Sequence, residues 1–402
     1  MRVLATVTTT VALLLAGLTT QATQAAPEDF STPPATLTGA PGDVVRQEPS
    51  TFYLDPLRAL KAPASVQRLM YVSRGVKDEK IAVTGTLLTP RTPWVGRGKR
   101  PLVSYAVGTQ GMADRCAPSR QLAAGTEYEG AFVKGLLTRG YAVVVTDYQG
   151  LGTPGTHAYA NSRSLGRSVL DAARAATRSS VDRVAKDAPV FVAGYSEGGG
   201  GAAGALEQHA SYAPDVNLKA GYAGAVPADL TRVAPGLDGS LYAAFLAYSV
   251  LGLDDLYPEL RIGDLLTPAG QAKVDSAGET CTADGLAPFA FTRTSTLTRE
   301  GRPVTDYLSR PDLAAVLEGL RLGKGRPDVP VLVAHTTLDD VVPFAQDRDM
   351  ARGWCRNGAT VTFAPGVAPT HVGGAVEAFP KAFAFLEARV AGVRPTSSCG
   401  RF

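Results

Sequence analysis

A serine in Gly-Tyr-Ser-Glu-Gly, residues 194–198, and a histidine in Pro-Thr-His-Val-Gly-Gly, residues 369–374, are the side chains of this sequence best suited to nucleophilic chemistry. A serine hydroxyl attacks a carbonyl carbon well only when a histidine takes its proton and a carboxylate holds that histidine in the right tautomer. The chain has four histidines, so the choice is narrow. His157 precedes the serine, and His209 falls at the far end of the helix that the serine begins. His335 closes the strand VPVLVAH, and His371 alone follows the acidic pair of TTLDDVVP. A recurring chain order for this chemistry is serine, acid, histidine. It makes Ser196 the candidate nucleophile, Asp339 the candidate acid with Asp340 in reserve, and His371 the candidate base, on a loop before the last helix. His335 reads as a strand-end residue packing near the acid loop.

The serine gains weight from its setting. VFVAGYSEGGGGAAGAL, from Val190 to Leu206, runs from an apolar strand into a helix of small residues. In a tight strand-to-helix turn the positions two before and two after the serine must lack colliding side chains, as Gly194 and Gly198 do. The turn lifts the hydroxyl above the sheet edge, and the Glu197 N–H at the helix start offers one donor to an oxyanion. Gly199, Gly200 and Gly201 are not demanded by the turn. Each costs a helix about 1 kcal/mol relative to alanine, so they imply close approach to neighbouring backbone or to a substrate chain. The second oxyanion donor is expected in TQGMADRCAPS, after the strand PLVSYAVG, from the N–H of Gln110 or Gly111.

The elements that must position these groups follow from periodicity. Apolar, β-branched runs recur: RLMYVSRG, IAVTGTLLTP, PLVSYAVG, YAVVVTDYQG, PVFVAGYS, LKAGYAGAV, VPVLVAHT and ATVTFAP. Helical spacing lies between many of them, as in Leu165, Val169, Ala172, Ala173 and Ala176, or Phe379, Phe383, Leu386 and Val390. Strands apolar along nearly their whole length, alternating with helices, predict an α/β fold with a mostly parallel sheet covered on both faces. Residues 227–326 break the alternation with helix-like pieces only, which reads as a helical cap inserted in a core of 27–226 and 327–402. Within it, LYAAFLAYSVLGL is either a lipid-facing surface or the cap's own core.

Composition sets the bounds. With 45% hydrophobic and 19% charged residues, the 402-residue chain has room for a large core, and 40 Lys plus Arg against 37 Asp plus Glu give no electrostatic footprint for nucleic acid. Residues 1–26 join Arg2, an apolar run and small residues near Ala25 and Ala26, the build of an export signal; the run is too short to span a bilayer. Cys116, Cys281, Cys355 and Cys399 are an even set in an exported chain and suit two disulfides rather than a zinc site, with three pairings open. GLGTPG, residues 150–155, imitates a dinucleotide-binding turn, but Pro154 interrupts it and no helix starts at once. Asp147 precedes the serine and reads as a residue that satisfies loop N–H groups.

Taken together, GYSEGG, DYQGLGTPGTHAY, CAPS, TTLDDVVP and THVGG make the chain resemble the secretory lipase family of the lipase A type. The resemblance implies an α/β-hydrolase whose helical cap bears a lid. It implies hydrolysis of carboxylic esters, triacylglycerols included, by Ser196, Asp339 and His371, with oxyanion donors at Gln110 and Glu197. Gln110 is a departure, since the yeast prototype carries an acidic residue in that loop; a backbone donor tolerates the change. It further implies pairing of Cys116 with Cys281 and of Cys355 with Cys399, a secreted protein, no metal or organic cofactor, and an acyl ester or lipid substrate at a lipid–water interface, without an integral membrane span. The rival expectations are a short-chain carboxylesterase or acyltransferase with the same three residues, and a non-catalytic binding protein on the same fold.

Overall fold

The computed structural model describes residues 29–181 and 184–402; the expected export signal, 1–26, lies outside the described residues. The β-branched runs become strands β1 (Val44–Pro49), β2 (Ala64–Arg74), β3 (Lys80–Pro90), β4 (Leu102–Ala106), β5 (Ala142–Thr146), β6 (Val190–Tyr195), β7 (Leu218–Gly224), β8 (Val331–Leu338) and β9 (Val361–Pro369). The helices are α1 (Pro118–Ala124), α2 (Gly130–Thr138), α3 (Ser162–Arg178), α4 (Glu197–Tyr212), α5 (Leu230–Leu237), α6 (Ala243–Leu256), α7 (Pro268–Ala277), α8 (Thr282–Phe289), α9 (Pro311–Leu320), α10 (Phe344–Arg356) and α11 (His371–Val390).

The strands form one sheet in the order β1-β2-β3-β5-β4-β6-β7-β8-β9. From β5 through β9 the neighbours run parallel, whereas β1, β2, β3 and β5 pair antiparallel. Parallel neighbours need crossovers, which the helices provide and which cover both faces. That is why β4, β5 and β6 are buried at every residue and read as unbroken apolar runs. The edge strand β1 escapes the sequence reading because VVRQEP is partly exposed and has no such run. The chain leaves β4 toward β5 on one side and later returns as β6 on the other. Loops after β4 and β6 therefore diverge at a topological switch point, where a crevice forms at the strands' carboxyl ends.

Between β7 and β8 the chain makes α5 to α9 and, apart from isolated bridges of Leu266 with Thr298 and of Cys281 with Gly111, no strand. These helices have their own apolar cluster, in which Ala244, Ala247, Tyr248, Val250 and Leu251 of α6 are buried. The stretch LYAAFLAYSVLGL thus serves mainly as the insertion's own core. Disulfides join Cys116 to Cys281 and Cys355 to Cys399. The first ties the loop after β4 to the insertion. Among the described residues, no helix is long and apolar enough to cross a membrane.

Candidate active site

Ser196 stands between β6 and α4 with φ 60° and ψ −127°, a left-handed conformation that costs a non-glycine residue about 1 kcal/mol or more. Its N–H donates to the Gly224 carbonyl at 2.9 Å, and its carbonyl accepts from Gly200 N–H at 3.0 Å. A Cβ on Gly194 would lie 2.1 Å from the Gly198 carbonyl oxygen, and one on Gly198 would lie 2.1 Å from that of Ala106. The turn is possible only without those side chains. Close approach also explains Gly199, whose Cβ would meet the Gly224 carbonyl oxygen at 2.2 Å. It does not explain Gly200 or Gly201, where the nearest atoms would be 3.5 Å and 3.4 Å away. The expectation of close approach to neighbouring backbone is therefore corrected from three glycines to one.

His371 opens α11 rather than lying on the loop before it. Its Nδ1 is 2.7 Å from Asp339 Oδ2, and the Asp339 side chain is fully buried. An ionised carboxylate only accepts, so Nδ1 carries a proton, and in the neutral imidazole the lone pair is then on Nε2. Nε2 is buried with no partner among the described residues. The other Asp339 oxygen accepts from the N–H groups of Val341 at 2.8 Å and Val342 at 2.7 Å. Burial pushes this carboxyl up, but hydrogen bonds from His335 and His371 outweigh it and hold Asp339 well below the usual carboxylate range. Asp340, adjacent in sequence, meets the backbone instead. It accepts from His371 N–H at 2.8 Å and from the Tyr242 hydroxyl of the insertion at 3.0 Å.

Tyr195 links His371 to the serine. Its hydroxyl donates to the His371 carbonyl at 2.8 Å, and the two rings lie 5.0 Å apart. The residue before Ser196 thus seats the start of α11 beside the turn.

Gln110 follows β4 and is buried. Its carbonyl accepts from Thr282 N–H of the insertion at 2.8 Å, while its own N–H takes no partner among the described residues. The Glu197 N–H, in the first turn of α4, lacks an intrahelical acceptor. The Glu197 carboxylate turns away, with Oε1 2.9 Å from His157 Nε2. Gln110 follows β4, Ser196 and Glu197 follow β6, and these strands are neighbours, so the three stand near the carboxyl ends of adjacent strands; the Cys116–Cys281 bridge ties the Gln110 loop to the insertion.

Beneath that loop lies a pair of buried glutamates that sequence reading missed. Glu127 accepts from Gln110 Nε2 at 3.2 Å, and Glu129 accepts from Gly108 N–H at 3.1 Å and the Tyr105 hydroxyl at 2.5 Å. Burial raises Glu127 to about 7; burial, and then the Glu127 charge, raises Glu129 to about 8. Each carboxyl binds its proton more tightly folded than unfolded. Stability from this pair is thus complete below about 4.5, the ordinary glutamate value, and is lost as pH rises through 7 to 8. The melting temperature is expected to fall between pH 5 and pH 9, and Glu129→Gln to flatten that fall; equal slopes in a thermal-shift series would refute this.

The remaining histidines are structural or supporting. His209 Nδ1 faces Asp328 and its Nε2 faces the Val216 carbonyl, each at 2.9 Å. Asp147 accepts from Ser119 N–H at 2.7 Å, from the Ser119 hydroxyl and from Thr84, holding the start of α1. GLGTPG leads into a loop, and α3 begins only at Ser162.

A family model described as secretory lipase matches residues 117–398. The chain belongs to the secretory lipase family. A secreted triacylglycerol lipase of Malassezia globosa is 30% identical over 355 residues, covering 83% of this chain and 71% of that one. A probable inactive lipase of Mycobacterium tuberculosis is 27% identical over 375 residues, 91% of this chain and 82% of the other. The X-ray structure of Candida antarctica lipase A in its closed state aligns with a TM-score of 0.79 at 22% identity, over 90% of this chain and 85% of that one, and shows the shared α/β-hydrolase fold. As a secretory lipase this protein is an ester hydrolase. Because the family includes a member named as inactive, the individual side chains matter.

Proposed function

We propose that Ser196 is the nucleophile, His371 the general base, Asp339 the acid that orients it, and the N–H groups of Gln110 and Glu197 the oxyanion donors. One observation carries the reading: His371 is held through Nδ1 by a buried carboxylate, leaving Nε2 unpartnered while its ring packs on Tyr195, the residue before the strained Ser196 turn. The Ser196 hydroxyl proton passes to His371 Nε2 as Oγ bonds the ester carbonyl carbon. The negative oxygen is received by the two backbone donors. Collapse expels the alcohol with the proton from His371, and water, deprotonated by the same nitrogen, then releases the carboxylic acid and regenerates Ser196.

The acyl side of the substrate is proposed to enter the helical insertion, which we read as a cap. A narrow apolar cavity of about 70 Å³ runs there, lined by residues including Leu237, Leu246, Val250, Leu253, Leu266 and Leu308. It borders the acid loop, because Val341 and Val342 share an apolar cluster with Val233, Leu237 and Leu246. An apolar cavity in the insertion, joined through that cluster to the acid loop, favours long acyl chains and hence triacylglycerol, acted on outside the cell; the two disulfides suit an oxidising compartment. The test is hydrolysis of p-nitrophenyl esters from two to sixteen carbons and of emulsified triacylglycerol. The long esters and the emulsion are expected to be hydrolysed. Activity confined to the shortest chains would replace the lipase reading with a carboxylesterase.

A further inference from the structure

Behind Asp339 lies a second buried imidazole that these steps do not use. His335, near the end of β8, places Nε2 3.0 Å from Asp339 Oδ2, the same oxygen that meets His371. Its Nδ1 lies 3.1 Å from Asp347 Oδ2 on α10, an ion-pair contact bent out of hydrogen-bond geometry. All three side chains are sealed from solvent, and Phe344 packs edge-on against the ring. Asp347 Oδ2 also accepts from Val226 N–H at 2.9 Å, while its Oδ1 is buried without a partner.

This arrangement constrains the proton count. A neutral imidazole offers one donor and one acceptor, whereas two ionised carboxylates offer acceptors only. An imidazole between them satisfies both only by carrying both protons. We propose that His335 is a positioning residue, held as an imidazolium between Asp339 and Asp347, which aims the Asp339 carboxylate at His371 and takes up part of its negative charge. The inference rests on Asp339 being the acid of the site.

Burial alone would strip the second proton from His335, but the close Asp347 charge and the hydrogen bond to Asp339 raise it to about 9. Burial pushes Asp347 up, against the pull of His335. The titratable groups around the imidazole are Asp339 on its own loop, Asp347 on α10 and His371 on α11. Tyr195 on β6 and Tyr222 on β7 lie within electrostatic reach of the aspartates, and burial keeps both phenols protonated. Asp340 faces the His371 backbone.

A carboxylate shared between two imidazoles gives each only part of its charge. Removing the His335 charge leaves more of it to His371, which then holds its proton more firmly and acts as a base only at higher pH. Asp347→Asn keeps a polar partner at Nδ1 but removes the charge that retains the second proton. Its acid limb of kcat/KM is expected to move up by about one pH unit, with KM unchanged. His335→Gln also loses the aim of Asp339, so kcat is expected to fall about ten- to a hundredfold at constant KM, as for other supporting-shell partners.

Nitrogen NMR of the wild-type chain reads the proton count directly, and only four histidines need assignment. Both His335 nitrogens are expected to be protonated at pH 7. A neutral His335, or pH profiles of both variants that match wild type, would overturn the proposal; if the variants do not fold, the wild-type spectrum alone decides. Asp339→Asn separates the two levels. Full activity in that variant removes the reading on which the inference rests, whereas its inactivity alongside wild-type-like His335 and Asp347 variants removes only the inference.

Discussion

Ser196→Ala is expected to lower kcat on a soluble acyl ester by about 10⁵- to 10⁶-fold, with little change in KM or melting temperature. The hydroxyl contributes no cap to α4 and accepts no hydrogen bond from it, so its removal takes away chemistry rather than structure. His371→Ala should cost about as much, and the double substitution little more than either alone, because the groups act as a unit. Asp339→Asn is expected to lose about 10⁴-fold, since an amide no longer fixes the His371 tautomer. Asp340→Asn tests the neighbouring aspartate. That variant weakens only the bond to His371 N–H and the bond to Tyr242, and a loss within about tenfold is expected for one neutralised outer contact. Steady-state kinetics on the four single variants and the double variant decide the matter. Ser196→Ala activity above one part in a hundred, or an Asp340 effect exceeding that of Asp339, would reassign the site.

The glycine run gives the second large effect. Gly198→Ala and Gly199→Ala would drive a methyl group to about 2 Å from the carbonyl oxygens of Ala106 and Gly224, both backbone atoms of central strands. Neither strand can yield without breaking its ladder, so each variant is expected to lose about 3 kcal/mol or more of stability, and with it the Ser196 turn. Gly200→Ala and Gly201→Ala point into ordinary contact distance. There the helix gains up to about 1 kcal/mol per substitution from lower backbone freedom in the unfolded chain. Thermal melts of the four single variants should split into two pairs of opposite sign. Equal destabilisation at all four positions would show that α4 is tighter along its length than the structure has it.

Much of this was legible in the chain itself. A strand-to-helix turn around a serine is a local event, set by Gly194 and Gly198 and by the apolar run before them. The alternation of buried strands with helical segments is likewise local, and it yields the parallel sheet and, by its interruption, the helical insertion. The order of Ser196, the Asp339–Asp340 pair and His371 needed only chain position. Edge strand β1 was missed because an edge carries no strong apolar signal.

Other features depended on which distant segments meet. Asp339 and Asp340 are neighbours in one loop, and nothing local tells which carboxylate faces the imidazole. The choice follows from the pairing of β8 with β9, where a shift in register between Thr336 and Leu338 brings Leu338 opposite Pro369, one residue before Thr370. In that neighbourhood Asp339 meets the His371 ring and Asp340 its N–H. Of the three possible disulfide pairings, the residues alone chose none, since pairing reports distance in space. The Glu127 and Glu129 pair and the His335–Asp347 contact were also invisible, for a charged residue in sequence looks exposed until packing buries it. The sequence by itself determined the strained turn at Ser196, the layer architecture and the chain order of the candidate residues, because these rest on backbone sterics and hydrophobic period over a few residues. Only the tertiary structure decided which carboxylate meets which imidazole, which glycines are indispensable and which acids lose their solvent, because those depend on distances between atoms that the chain holds far apart.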